Sequence, residues 1–280
     1  MNNLDPTVVE SFGQEWNKFT QSESAEGELQ TLFQAYFSIF PWKVLPARAT
    51  GFDIGCGSGR WARFVAPRVG RLNCIDPSPA ALEVARRNLI DYSNCEFHCA
   101  SVGEIPLPDS SADFGYALGV LHHVPDTQEG IRECVRKLKP GAPFLLYLYY
   151  AFDNRPSWFR LAWRASDLLR RVVSKLPFSL KSPLCDLLAL VVYWPLARLS
   201  RTLERAGVNV THLPLSAYRD RSFYAMRTDA LDRFGTRLEK RFTREQVRQM
   251  MAKAGLEEIT FSETVFWCAV GRRGKGQSQR

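Results

Sequence analysis

Asp53-Ile54-Gly55-Cys56-Gly57-Ser58-Gly59 follows a short apolar run at 49–54 and precedes a stretch of helical spacing at 59–69. Three glycines therefore fall at a strand-to-helix turn. Glycine there lets the backbone turn sharply and lets a ligand approach the peptide plane with no Cβ in the way. The next apolar run, 72–75, ends in Asp76, which is placed to accept hydrogen bonds from two ribose hydroxyls. The spacing is G-x-G-x-G, and Arg60 stands where a dinucleotide fingerprint has its third glycine. Asp53, two positions before Gly55, would repel a pyrophosphate and attract a cationic amino group.

Outward from this loop, strands and helices alternate. Apolar runs at 95–99, 112–118 and 143–149 read as further strands. Ser78 caps a helix over 79–89, and a helix over 127–138 is stopped by Lys139-Pro140-Gly141. Such alternation with apolar strands specifies a parallel sheet covered on both faces. The pattern breaks at 151–225, which reads as helices over 157–176 and 184–203, kinked at Pro195, and then a loop-like stretch. This segment holds 12 Lys/Arg against 5 Asp/Glu, nearly the whole excess behind the net charge of +8. Thr243-Arg244-Glu245-Gln246 is a capping box that opens a helix to Ala254, and 255–261 and 264–270 read as closing strands. The expected organisation is an N-terminal helical cap (1–44), a cofactor-binding core (45–150), a basic helical insertion acting as a substrate lid (151–235), completion of the sheet (236–271) and a frayed polar tail (272–280).

The chain resembles the class I S-adenosylmethionine (SAM)-dependent methyltransferases, in particular their small-molecule, type 11-like branch. The resemblance rests on Phe52–Gly59, Ile75-Asp76, Ile105-Pro106-Leu107-Pro108-Asp109, Leu118-Gly119-Val120-Leu121-His122-His123-Val124-Pro125-Asp126 and Leu138-Lys139-Pro140-Gly141. It implies an α/β fold: a Rossmann-like, seven-stranded, mostly parallel sheet with helices on both faces, its last strand antiparallel, and a helical insertion after the fifth strand. It implies SAM as cofactor, with Asp53, Gly55, Cys56, Gly57 and Gly59 at the methionine end and Asp76 with Pro77 at the ribose. Leu118 would line the cofactor at the fourth strand. Where the family often has an acid for the adenine amino group, this chain has Ser101, so the Ser101 hydroxyl or the Val102 backbone must serve.

A sulfonium is already an activated electrophile, so no metal is required. The protein must hold a nucleophile in line, exclude water and remove a proton. The candidate bases are His122 and His123, just beyond the fourth strand, since a neutral imidazole suits deprotonation of a hydroxyl. One of them packing the loop is the competing reading. No Asn-Pro-Pro-Tyr motif follows the fourth strand, and no cysteine lies in the loops after the fourth or fifth strand, which disfavours nucleobase amino and 5-cytosine methylation.

The acceptor is sought in the flanks. The run 11–19 folds over the cleft through Trp16, or else anchors a starting helix. Tyr149, at the end of the fifth strand, and Tyr218, Arg219, Tyr224 and Arg227 are candidates for a polar, anionic acceptor. The competing reading makes those arginines an ion-pair network with Asp220, Asp229 and Asp232. The expected reaction is O-methylation of a sugar, glycan precursor or natural product. The alternatives are an RNA or lipid-linked substrate and SAM binding without turnover.

With 45% hydrophobic and 24% charged residues the chain is not globally disordered. Its seven scattered cysteines suit free thiols in a reducing cytoplasm, and Cys95-x-x-His98-Cys99 reads as a strand rather than a metal cluster. The N-terminus lacks a signal-peptide pattern, and the most apolar window, 187–197, falls short of a membrane span. Expected partners are a small-molecule substrate and, through 157–205, a lid contact, a homodimer or a membrane surface. Nucleic acid is disfavoured because aromatic-basic recognition motifs are missing.

Overall fold

The computed structural model describes residues 3–20, 26–153, 155–264 and 266–275. Seven strands, β1 (Thr50–Ile54), β2 (Arg71–Asp76), β3 (Cys95–Cys99), β4 (Phe114–Leu118), β5 (Pro143–Tyr147), β6 (Leu256–Phe261) and β7 (Ala269–Arg273), form one sheet in the order β3-β2-β1-β4-β5-β7-β6. β1 to β5 pair in parallel, and β7 runs antiparallel to β5 and β6. The Rossmann-like expectation is met, with the reversal of strand order at β1 and β4. That reversal opens a crevice at the carboxyl ends of those strands.

The centre of the sheet is fixed by shape. β1 and β4 pair Gly51 with Phe114 and Phe52 with Gly115. A Cβ at Gly51 would come within 2.2 Å of the Phe114 ring, and one at Gly115 within 2.2 Å of the Phe52 ring. Each fully buried phenylalanine therefore lies over its neighbour's glycine, one pair on each face of the sheet. This interlock aligns the two strands whose ends carry the glycine loop and the histidine doublet.

Helices α1 (Pro6–Lys18), α2 (Glu26–Tyr36), α3 (Ala62–Val65), α4 (Pro79–Asn88) and α5 (Thr127–Lys137) come before the insertion. The helix expected over 59–69 shrinks to α3 followed by a 3₁₀ turn, Ala66–Arg68, because Pro67 cannot continue an α-helical hydrogen-bond ladder. Ser78 caps α4 by accepting from the Ala81 N–H, and Asp126 caps α5 by accepting from that of Glu129. α10 (Arg244–Lys253) opens with both hydrogen bonds of the Thr243–Gln246 capping box.

The chain divides into two compact units. The first comprises residues 1–17, 29–151 and 238–280, and the second 18–28 and 152–237. The inserted region thus recruits a short piece between α1 and α2. The second unit contains α6 (Ser157–Val173), α7 (Phe178–Leu188), α8 (Trp194–Arg205) and α9 (Phe223–Gly235). α7 and α8 join through a π turn, Ala189–Tyr193, so Pro195 sits in the first turn of α8, after an irregularity rather than at a simple kink. The continuous helix Phe178–Arg205 has 28 residues and is long and apolar enough to cross a membrane by length and composition, which corrects the shorter window read from the sequence. α9 takes in residues 223–225, where the sequence pattern predicts a loop-like stretch. Ser222, whose hydroxyl accepts from the Ala225 N–H, is the cap that signalled it.

Candidate active site

The glycine loop is held at the end of β1 by the Gly55 and Cys56 N–H groups, which donate to Ile75 O at 2.7 and 3.2 Å. Gly55 and Gly57 have φ of +67° and +54°. A Cβ at Gly55 would meet the Val120 methyls at 2.5 Å, and one at Gly57 the Trp16 indole at 2.8 Å. Both positions therefore need glycine for backbone conformation and for close approach together.

Two carboxyls converge beneath this loop. Asp76, 8% exposed at the end of β2, accepts from the Gly57 N–H at 2.9 Å and the Ser78 N–H at 2.8 Å. Burial raises its pKa to about 6, against the opposing pull of those two N–H donors. Asp53, 1% exposed, faces Tyr116 across the β1–β4 pair. Its Oδ2 and the Tyr116 hydroxyl are both buried without a hydrogen bond of good geometry, although the hydroxyl lies near enough to favour the ionised acid. Burial pushes Asp53 up to about 8, Tyr116 and Arg60 counter it, and Asp76 adds to it. A buried, orphaned carboxyl is costly unless a cation arrives.

The remaining cofactor candidates sit along the same edge of the sheet. Pro77 is half-buried between Asp76 and the α4 cap, with its carbonyl accepting from Cys99 Sγ at 3.7 Å. Ser101 and Val102 are buried at a 3₁₀ turn just after β3, and Leu118 is buried as the last residue of β4. Cys56 is buried within the loop.

Beyond β4, Gly119 turns with φ +77° and donates to Tyr147 O. The two imidazoles follow. His122 is completely buried, 3.8 Å from the Tyr149 ring and 4.0 Å from that of His123 (centroid distances), and neither of its nitrogens has a partner among the described residues. Burial, then the charges of His123 and Arg241, hold its pKa well below the usual histidine value, so the ring is neutral at neutral pH. His123 Nδ1 lies 2.6 Å from Leu238 O. A carbonyl only accepts, so Nδ1 carries the proton and the neutral ring keeps its lone pair on Nε2.

The segment after α9 builds the wall behind these rings. Lys240 N–H donates to His122 O and Phe242 N–H to Tyr149 O. Arg241 lies 5.0 Å over the Tyr149 ring, bonds Glu239 at 2.9 Å and donates to Tyr150 O. The Glu239 side chain is only 1% exposed and that of Arg241 13%. Sequence reasoning missed both, because alternating charges in Glu239-Lys240-Arg241 resemble a solvated strand edge.

α1 lies across this whole row. Asn3 exchanges hydrogen bonds with the Asp126 backbone, Phe12 places its ring edge-on to His123 at 5.0 Å, Gly13 abuts Ser78, and Trp16 covers Gly57 while Arg60 stacks 5.4 Å from its ring. Trp16, expected to touch the acceptor, thus lies against the cofactor loop. Phe12, in the same quoted run, is the residue that reaches the histidines.

Of the other acceptor candidates Tyr149 packs on both imidazoles, and the remaining four are Tyr218, Arg219, Tyr224 and Arg227. They belong to the second unit, and their charge is already met there. Arg227 forms a bidentate pair with Asp186 at 3.0 and 3.2 Å, and Arg219 bonds Glu204 at 2.6 Å with Asp220 3.7 Å away. Tyr218 packs on Tyr193 and Arg221, and Tyr224 stands edge-on to Phe19. These contacts agree with the ion-pair reading of the arginines, with Asp186 and Glu204 as partners the sequence did not indicate. Asp229 pairs with Arg221, as that reading expected of an acid in this segment.

Residues 52–146 match a family described as a methyltransferase domain. The chain is a SAM-dependent methyltransferase. The ubiquinone biosynthesis O-methyltransferase of Xanthomonas axonopodis pv. citri is 25% identical over 62% of the methyltransferase described here and 72% of its own length. A chain from the complex between the Haloferax volcanii Trm112 methyltransferase activator and a methyltransferase superposes with a TM-score of 0.52 at 14% identity, covering 92% of this chain and 97% of that one. The [4+2]-cyclase SpnF superposes at 0.50 and 14% identity, over 89% and 81% of the two chains. The last two likenesses show the fold alone.

SAM is the cofactor of this methyltransferase, and the residues present fit it. The orphaned Asp53 Oδ2 is a buried acid awaiting a cation, which the α-amino group of a methionine chain provides. The Asp76 carboxylate, with both oxygens anchored by backbone N–H donors, keeps further acceptor capacity for vicinal hydroxyls.

Proposed function

We propose that this methyltransferase transfers a methyl group to a hydroxyl oxygen of a small molecule, with His123 as the general base. The observation carrying this reading is the bond between His123 Nδ1 and Leu238 O, which leaves Nε2 as the basic nitrogen at the carboxyl end of the sheet. Bound SAM supplies an electrophilic methyl group. His123 Nε2 accepts the hydroxyl proton as the oxygen attacks, and the Leu238 carbonyl holds the ring and favours the imidazolium so formed. Asp53, Gly55, Cys56, Gly57 and Gly59 would hold the methionine end, Asp76 and Pro77 the ribose, and Ser101, Val102 and Leu118 the adenine side. His122 acts as a neutral aromatic floor sandwiched with Tyr149, not as a second base, since nothing compensates a charge on it.

The walls near His123, Phe12 and Tyr149, are aromatic. They favour a flat phenolic hydroxyl over a sugar, in keeping with the O-methyltransferase named among the relatives. α1 excludes water by lying over the imidazoles and must shift for the acceptor to enter. The test is a mass-spectrometric screen of phenols, sugars and nucleotide sugars, followed by single substitution of each histidine. The expected result is an O-methylated phenol, with His123→Ala inactive and His122→Phe retaining turnover. Methylation only of amines or carbon centres, or full activity of His123→Ala, overturns the reading.

A further inference from the structure

α6 is built inside out. Its inner face carries Asp167 and Arg170, both under a tenth exposed, paired at 2.6 Å, with Arg170 also donating to the Thr236 and Arg237 carbonyls. Its outer face repeats Trp158, Leu161, Ala165, Leu168 and Val172 at the three- and four-residue spacing of one helical stripe. Leu161, Leu168 and Val172 are 68, 65 and 63% exposed. The neighbouring row on the helix is basic: Arg160, Arg164 and Arg171 are all exposed, and Arg160 and Arg164 meet no carboxylate among the described residues. Asp167, turned inward, is the sole acid in α6.

The long helix Phe178–Arg205 repeats the arrangement. Its inner residues Cys185, Ala189, Tyr193 and Ala197 are buried in the core of the second unit, while Leu187, Leu190, Val191 and Trp194 are about half exposed. A solvated face of a water-soluble helix has no reason to be apolar over four turns. A stripe bordered on one side by exposed arginines, two of them without a carboxylate among the described residues, and with tryptophan at its start, suits the boundary between acyl chains and anionic headgroups. A second copy of the chain would bring the same arginines against themselves.

We propose that the outer face of α6 docks on an anionic bilayer surface, lying in the headgroup plane with Leu161, Leu168 and Val172 toward the acyl chains and Arg160 and Arg164 on the phosphates. The helix Phe178–Arg205 stays on the surface and does not span, because its inner face is committed to protein packing and Lys181 within it bonds Gly235 O. The membrane-facing surface is independent of the acceptor assigned above, and its readout needs no turnover.

The test is co-sedimentation of the full chain with vesicles of phosphatidylcholine alone or with added phosphatidylglycerol. Binding to the anionic vesicles only, weakened by high salt, is the expected result. Arg160→Ala with Arg164→Ala should lower partitioning on the order of 30-fold, and Leu161→Ser with Leu168→Ser on the order of 10-fold. Both pairs are solvent-facing, so circular dichroism should be unchanged. Three results overturn the proposal: no sedimentation with anionic vesicles at low salt, equal partitioning of both double variants, or retention in cell membranes through alkaline carbonate extraction. A stable dimer in solution, dispersed by Leu161→Ser with Leu168→Ser, assigns the face to a second copy and overturns it equally.

Discussion

The inserted unit and the glycine-loop edge of the sheet treat buried charge in opposite ways. In the inserted unit two acids each have a pair of cations: Asp167 has Arg170 and Arg171, and Asp186 has Lys18 and Arg227. Those carboxyls are held below the usual range, because their cations outweigh the burial that would raise them. At the glycine-loop edge Asp53 is buried with no ion pair among the described residues, Tyr116 and His122 bury polar atoms without partners among them, and Asp53 and Asp76 are held above the usual range. Folding satisfies its own charges where the role is structural. Asp53 Oδ2, the Tyr116 hydroxyl and the His122 nitrogens are among the buried polar atoms without a partner, and they lie on β1 and β4 or just beyond β4, where a ligand can complete them.

The contrast can be broken experimentally, beginning with the largest effect. Replacing His123 by alanine should lower kcat by about 10²–10⁴-fold, the usual share of a general base, with SAM affinity unchanged; rapid-quench turnover and calorimetry separate the two. An equal loss in SAM affinity would make the ring a packing element. Next, SAM affinity should rise with pH. Asp53 and Asp76 are raised toward about 8 and about 6, so both are partly neutral below those values and bind a cation or hydroxyls less well. From pH 7 to 8.5 the gain should be on the order of 10-fold, and Asp53→Asn should flatten this upper limb. The same shifts imply that these two groups favour the fold at acid pH, and that this contribution is lost as pH rises from about 4, where the unfolded chain ionises, toward 8.

Smaller effects sharpen the division. Trp16→Ala uncovers Gly57 and should weaken SAM binding by roughly 1.4 kcal/mol, about tenfold, with little change in kcat at saturating SAM. Arg227→Ala should leave KM for the acceptor unchanged and cost at most about 1 kcal/mol in urea unfolding, because the Asp186 pair is partly solvated and Lys18 remains. A large rise in acceptor KM would restore this arginine to the acceptor site.

How much was legible in the sequence follows the same boundary. The sheet, its order of elements and the cofactor residues are written locally. The loop glycines are dictated by backbone angle, Asp76 by the end of its strand, and the caps at Ser78, Asp126 and Thr243 by side chains that bond within their own first turn. Residues defined by distant partners were not legible. Arg241, with Glu239 bonded to it, matters through Tyr149 and Tyr150, the latter 91 positions away, and nothing in their own neighbourhood announces burial. The ion-pair partners of Arg219 and Arg227 were hidden for the same reason, since Glu204 and Asp186 stand in other helices. The exposed stripe of α6 was misleading in another way: its periodicity announces a helix and says nothing of which face turns inward.

The central claim is that the orphaned edge of the sheet is completed by SAM, with Asp76 on the ribose. The most direct measurement is calorimetric titration of S-adenosylhomocysteine into the wild-type chain and into Asp76→Ala. Saturable one-site binding is predicted for the first, and a loss on the order of 100-fold for the second, as expected when charge-assisted hydrogen bonds worth about 1.5–3 kcal/mol are removed, with an unchanged circular dichroism spectrum. Equal affinity in the two proteins would contradict it.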